Sequence, residues 1–315
     1  MEYRKLIKFG NSSHIISLPL NWLKKNKLKK GDLIYFSENS NNELILSPEI
    51  KDTELEPKEI IIDISGKTNV EVYREIISAY INSSTIIKII GKDLDKRVNE
   101  VKEYIHKLVA LEIIEQTKNT IVTKNFLDMN TISISDLIRK MDVTVRTMIA
   151  DSKNMFNEDI FEDIYQRDEN VNRLAFLAFR IIKYALTNPS FAFSIKLTYP
   201  QLLIYWELAY NLEQIADEAK RIARFMRQVK LSKQEEKNLV EIYSRIENTY
   251  LDIMKAHHTG DKKIAFHIAS IKKEITDECD KFALINYKKK YIANIIEKLK
   301  VMNDHIHTLG RLVYY

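Results

Sequence analysis

The sequence predicts a multidomain α+β protein: a small β-rich N-terminal unit, a small α+β middle domain, and a C-terminal all-α region of tandem three-helix bundles. Three observations predict it. Residues 1–50 alternate short β-type runs with turn signals, residues 59–127 alternate strand-like with helix-like runs, and from about 132 onward every segment has helical periodicity. A chain of 315 residues, 45% hydrophobic and 30% charged, is long enough for two or three such units with cores of their own.

In the first unit, "YRKLIKF" and "HIISL" have β-type composition, and Gly10-Asn11 between them is a turn signal. Pro19 can open a helix over "LNWLKKNKL". "GD" at 31–32 marks a second turn, and "LIYFS" and "ELILS" read as a hairpin around Asn39–Asn42, with Pro48 closing the unit. The polar stretch 51–58, with Pro57, reads as a linker that opens a segment running to about 130. Within it "EIIIDIS" is a strand, "NVEVYREIISAYINS" a helix, "TIIKIIG" a strand and "LDKRVNEVKEYIHKLVAL" a helix, followed by strands "EIIEQT" and "TIVTKNF". No chemical motif stands out there. Glu103 and His106 have i, i+3 spacing, but a surface pair is the simpler account.

Over 131–315, six long helices are expected near 135–157, 158–186, 199–229, 233–258, 262–285 and 287–313, with Pro189 and Pro200 falling between helices. The third and sixth are related: "NLEQIADEAKRIARFM" and "KLKVMNDHIHTLGRLV" align at an offset of 87, with Leu212 on Leu299, Ile215 on Met302, Asp217 on Asp304 and Arg224 on Arg311. The second and fifth align at an offset near 104, the difference lying in "TNPSFAFSIKLTYP". Two three-helix repeats, about 132–230 and 231–315, follow.

Charge is unevenly spread. Residues 1–30 hold eight Lys or Arg (Arg4, Lys5, Lys8, Lys24, Lys25, Lys27, Lys29, Lys30) against Glu2, a net +7, so a chain of net +5 carries −2 over the remainder. That asymmetry is expected of an anion-binding unit, although on charge alone a solvated lysine-rich surface is the simpler account. No apolar run approaches the ~18–20 residues of a membrane span. There is no signal-peptide core, because Lys5, Lys8 and Asn11 interrupt it. The single cysteine, Cys279, forms no intrachain disulfide, so a reducing cytoplasm is the expected compartment. A glycine-rich phosphate loop and zinc-spaced His/Cys clusters are absent, which removes an NTPase reading. His257-His258 and His305-x-His307 do not share a helix face.

A first unit of about 50 residues buries little apolar area alone, so pairing with a second copy is expected. At Lys8–Asp32 and the closing "ELILSP", the pattern of a basic residue, Gly, Ser, Ile and Pro, then a Lys-rich helix and "KKGD", resembles the AbrB/MazE/SpoVT swapped-hairpin DNA-binding domain. The resemblance covers about 1–48. It implies a dimeric swapped-hairpin β-barrel that grips duplex DNA, with Arg4, Lys5, Lys8, Asn11, Ser12, Ser13, His14, Lys24 and Lys25 as the contacting residues. Lysine predominates over arginine here and acts as a point charge, which weakens the expectation of strong base specificity.

In the helices, Glu213 and Asp217 are one turn apart on one face beside the apolar stripe Leu208, Leu212, Ile215, Ala219 and Ile222. From spacing alone this is a solvated face, with Asp217 and Arg221 as an i, i+4 ion pair. "RDENVNRLAFLAFRII" and "NLEQIADEAKRIAR" resemble the PhoU family of phosphate-uptake regulators, over about 132–315. That family's E(D)-x-x-x-D motifs cluster metal-binding carboxylates, and they correspond here to Asp168-x-x-x-Asn172 and Glu213-x-x-x-Asp217. The resemblance therefore implies one site for iron or another hard cation in the first bundle, held by Asp168, Glu213 and Asp217 with Glu169 nearby. In the second copy Lys272 with Thr276 and Lys300 with Asp304 stand at these places, so that site is expected to be lost, with Lys300 pairing with Asp304.

Together the two resemblances imply an archaeal-type, cytoplasmic, non-enzymatic transcriptional regulator of phosphate uptake, binding double-stranded DNA as a homodimer or higher oligomer. The helical bundles are then expected to sense phosphate status through a bound metal or a protein partner, and the implied partner is the ATPase of a phosphate ABC transporter. The alternatives are a non-DNA-binding adaptor that modulates a phosphate ABC transporter, its first unit serving only for dimerisation, and a carboxylate-bridged metalloenzyme, which the lost ligands disfavour.

Overall fold

The computed structural model describes residues 3–38, 43–48 and 58–314. The expected turn at Asn39–Asn42 and all but the last residue of the 51–58 linker lie outside the described residues. The chain divides into two compact units, Met1–Glu56 and Pro57–Tyr315.

In the first unit β1 (Ile7–Phe9) pairs antiparallel with β2 (Ser13–Ile15), placing Lys8 opposite His14. Gly10 turns the chain at φ +68°, a left-handed conformation that costs glycine nothing. The helix α1 (Leu20–Lys25) starts after Pro19, and its end is held by Asn26 Nδ2 donating to the Trp22 carbonyl at 2.8 Å. The backbone N–H of Lys29 donates to Asp32 at 2.6 Å, tightening the "KKGD" turn. A second hairpin pairs β3 (Tyr35–Glu38) with β4 (Leu44–Ser47), with Phe36 opposite Leu46. The two hairpins are separate two-stranded sheets, so the single chain forms no closed barrel among its described residues. None of the described residues of this unit whose burial is defined is buried.

The second unit opens with β5 (Glu59–Asp63), α2 (Asn69–Ile81), β6 (Ile86–Ile90), α3 (Leu94–His106), β7 (Leu111–Gln116) and β8 (Thr120–Asn125). The strands form one sheet in the order β5-β6-β8-β7, β5 and β6 parallel across the α2 crossover and β8 antiparallel to both its neighbours. Ile62, Ile87, Ile89, Ile121 and Thr123 alternate onto the buried face, where Val72, Ile76, Val101 and Ile105 of the two helices complete a core. A capping box between Thr68 and Glu71 fixes the start of α2.

The helical region comprises α4 (Ile134–Lys153), α5 (Phe161–Thr187), a short α6 (Pro189–Ser194), α7 (Tyr199–Met226), α8 (Lys233–Thr259), α9 (Lys262–Ile285) and α10 (Ile292–Arg311). The expected six long helices are all present. Pro189 and Pro200, however, open α6 and α7 from inside their first turns, where the missing N–H is harmless. Ser133, Ser232 and Asp261 cap α4, α8 and α9 by accepting from backbone N–H groups.

Two three-helix units result, α4-α5-α7 and α8-α9-α10, and they join where α7 packs on α10 and α4 on α8. Leu212, Ile215, Leu299 and Met302, the residues that the repeat aligns, are all fully buried in one continuous core. Gly310 allows the close approach of α10 to α8, since a Cβ there would stand 2.8 Å from Ile253. Between the units, Tyr250 of α8 donates at 2.8 Å to the buried Asp142 of α4, which Arg146 also grips at 2.7 and 2.9 Å. Among the described residues no helix is long and apolar enough to cross a membrane.

Candidate functional site

Two groups of residues carry the functional expectations of the sequence. In the first unit, Arg4 and Lys5 precede β1, Lys8 lies in it, Asn11 and Ser12 form the turn, Ser13 and His14 lie in β2, and Lys24 and Lys25 end α1. All nine are exposed. Lys8 and His14 are cross-strand partners; Lys24 and Lys25 sit on a separate element. Lys27, Lys29 and Lys30 are exposed as well, so every Lys and Arg of residues 3–30 faces solvent in the single chain. Beside them Leu33 is 72%, Phe36 65% and Leu44 67% exposed, a surface that a solvated monomer has no means of covering.

The second group lies between α5 and α7. Asp168 stands on α5, 2% exposed, facing α7. The side chain of Lys220, three residues beyond Asp217 and so on its face of α7, reaches between the carboxylates. Its ammonium lies 2.6 Å from Asp168 and 2.7 Å from Asp217. Arg221 takes the other oxygen of Asp217 at 2.5 Å, as the i, i+4 spacing predicts, and Glu218 at 2.7 Å. Glu213 receives a bond from Gln214 at 2.7 Å, and Asn172 donates to Asp168 at 3.4 Å. Asp168, Asn172 and Lys220 line a cavity of about 190 Å³ that Tyr73 and Lys107 of the α+β part also line, whereas Glu213 and Asp217 do not. There Lys107 bridges Glu103 and Glu169, each at 3.0 Å.

Burial raises Asp168 above the ordinary carboxylate range, with the Lys220 ammonium pulling it back down. Glu213 is also raised by burial, and the bond from Gln214 opposes this. Burial alone would lower Lys220, but its bonds to Asp168 and Asp217 more than reverse that, so the ammonium is held above its ordinary range. The face is thus not solvated, as spacing alone would have it, but closed by charge within the protein.

Lys220 joins Asp168 and Asp217, while Glu213, one turn before Asp217 on α7, bonds Gln214; the residues present do not fit a metal ion. A cation already fills the space between two of the three carboxylates. Among the described residues no group of three or more His, Cys, Asp or Glu side chains is arranged to hold one. Lys220 is the residue that sequence reasoning missed, although its place three residues after Asp217 and seven after Glu213 was readable. In the second copy the expected Lys300–Asp304 pair gives way to a crosswise arrangement. Lys300 of α10 bonds Asp280 of α9 at 2.7 Å, and Lys272 of α9 bonds Asp304 of α10 at 2.6 Å. Side chains on facing helices outcompete the i, i+4 neighbour because packing brings them end to end.

Residues 138–226, from the first turns of α4 to the end of α7, match the family model described as the PhoU domain. No curated protein and no solved structure matches the chain.

Proposed function

We propose that the chain is a regulator of phosphate homeostasis that binds double-stranded DNA as a homodimer through its first unit. Its helical region would report phosphate status through contact with a partner such as the ATPase of a phosphate ABC transporter. The PhoU-domain match over 138–226 supports the phosphate role. The observation that carries the DNA-binding half is the first unit's composition and exposure: eight cations at its surface, and none of the described residues of defined burial buried.

Two hairpins that leave Leu33, Phe36 and Leu44 mostly exposed have not completed a core. A second copy supplies the missing surface at about 1.5–3 kcal/mol for each such side chain covered. The same pairing doubles the cations presented to a polyanion. Regulation then follows from linkage: a partner that prefers one arrangement of the helices shifts DNA affinity by its difference in affinity for the two. No step of this reading passes through a metal.

The test is sedimentation of the full chain together with duplex binding at low salt. A dimer that shifts duplex DNA is expected, and the Phe36→Ser, Leu44→Ser double variant is expected to lose both properties. A monomeric chain overturns the reading. A dimer indifferent to every duplex supports instead an adaptor whose first unit serves only for pairing. Mapping the native protein on its chromosome should place it at phosphate-transport promoters.

A further inference from the structure

The internal repeat relates the carboxylate cluster of the first three-helix unit to a specific place in the second. With α5 aligned on α9 at an offset of 104 and α7 on α10 at 87, Lys272 falls on Asp168, Lys300 on Glu213, Asp304 on Asp217 and His307 on Lys220. In the first unit the ammonium is carried by the third helix and reaches across to the second, from Lys220 to Asp168 at 2.6 Å. In the second unit it is carried by the second helix and reaches across to the third, from Lys272 to Asp304 at 2.6 Å. The charges have changed sides, and the cross-helix bridge at that level is present in both. Lys300, at the place of Glu213, adds a second bridge to Asp280.

From these paired geometries we infer that each three-helix unit is closed by an ammonium group of its own chain at the position where the family resemblance implies a metal ion. The helical region therefore holds its carboxylates without metal. In the first unit a divalent ion would need the same oxygens that Lys220 occupies, at the short distances such ions require. It would have to expel an ammonium whose side chain is only 13% exposed. Asp168 keeps one oxygen, Oδ1, buried and without a hydrogen-bond partner, so the carboxylate has capacity to spare once Lys220 is removed. In the second three-helix unit two ammonium groups face Asp304 and Asp280, and no ligand set for a cation is found among the described residues. The inference is independent of whether the N-terminal unit binds DNA.

The experiment uses the full chain, stripped with chelator and titrated with Mn²⁺ alone, followed by calorimetry and by elemental analysis after dialysis. The parent protein is expected to retain no stoichiometric ion. Lys220→Ala, which frees Asp168, Glu213 and Asp217, is expected to take up about one ion per chain and to gain several degrees in thermal midpoint when Mn²⁺ is present. Adding Asp168→Asn to that variant should abolish both effects. Should Lys220→Ala not fold, a transposition serves: Asp168→Lys alone is expected to lower the thermal midpoint, and Asp168→Lys with Lys220→His, which rebuilds the second unit's arrangement in the first, to restore most of it. The inference is overturned if the parent chain binds one or more ions and loses them on Asp168→Asn. It is equally overturned if folded Lys220→Ala binds none, or if the transposed pair is no more stable than Asp168→Lys.

Discussion

The proposed DNA contact sets a salt dependence that can be worked out before it is measured. Arg4, Lys5 and Lys8 lie before and within the first strand, all exposed, so a dimer presents six cations there. Neutralising six phosphates gives a slope of about −5 for log K against log salt, or about a 400-fold loss of affinity between roughly 0.1 and 0.3 M salt. Lys8→Ala removes one cation from each protomer; the slope should fall to about −3.6 and the loss to about 50-fold over the same range. Lys8 sits mid-strand with an exposed side chain, so the substitution should leave the hairpin and the dimer intact. Fluorescence anisotropy with a labelled duplex across that salt range, for parent and variant, reads both slopes. A slope between 0 and −1, or one unaffected by Lys8→Ala, would refute the electrostatic reasoning. Contacts from Lys24 and Lys25 as well would steepen the parent slope to about −9, which the same data would show.

The second unit makes its own predictions. Burial, with Lys272 nearby, pushes His307 down to about 4. The unfolded chain therefore binds the extra proton between roughly pH 6.5 and 4, and the stability that neutral His307 contributes above that window is lost as pH falls through it. About 2 kcal/mol should be gone by pH 5, and His307→Leu should flatten that part of a urea-denaturation series. Tyr250→Phe removes a bond to a buried carboxylate and should cost about 1.5–3 kcal/mol in the same assay. Asp142→Ala should cost more, and the double variant less than the two combined, because they share that bond. Arg180 is 3% exposed and donates to the Tyr80 and Ser84 carbonyls of the α+β part. Its replacement by alanine should cost about 2–4 kcal/mol in thermal or urea unfolding.

The helices were legible along the chain because their causes are local. The apolar stripe through Leu208, Leu212, Ile215, Ala219 and Ile222 repeats at helical spacing, Ser232 with Glu235 announces the start of α8, and Gly260 and Asp261 mark the break before α9. The repeat that relates α7 to α10 was likewise written in residue order, as was the concentration of lysine near the N-terminus. Partners across helices were not. Nothing within a few positions of Lys272 says that it will meet Asp304 rather than Glu274 or Asp277. Nor does the stretch around Lys220 say that Asp168, fifty-two residues earlier, will stand opposite it. Which charges meet depends on the rotation and depth at which two helices dock, and those are fixed by the fit of many core side chains at once. Spacing alone therefore read Glu213 and Asp217 as a solvated face, and only the family resemblance implied a cation site there. Packing made it an ion pair, because the nearest cation is a side chain brought alongside when the helices close.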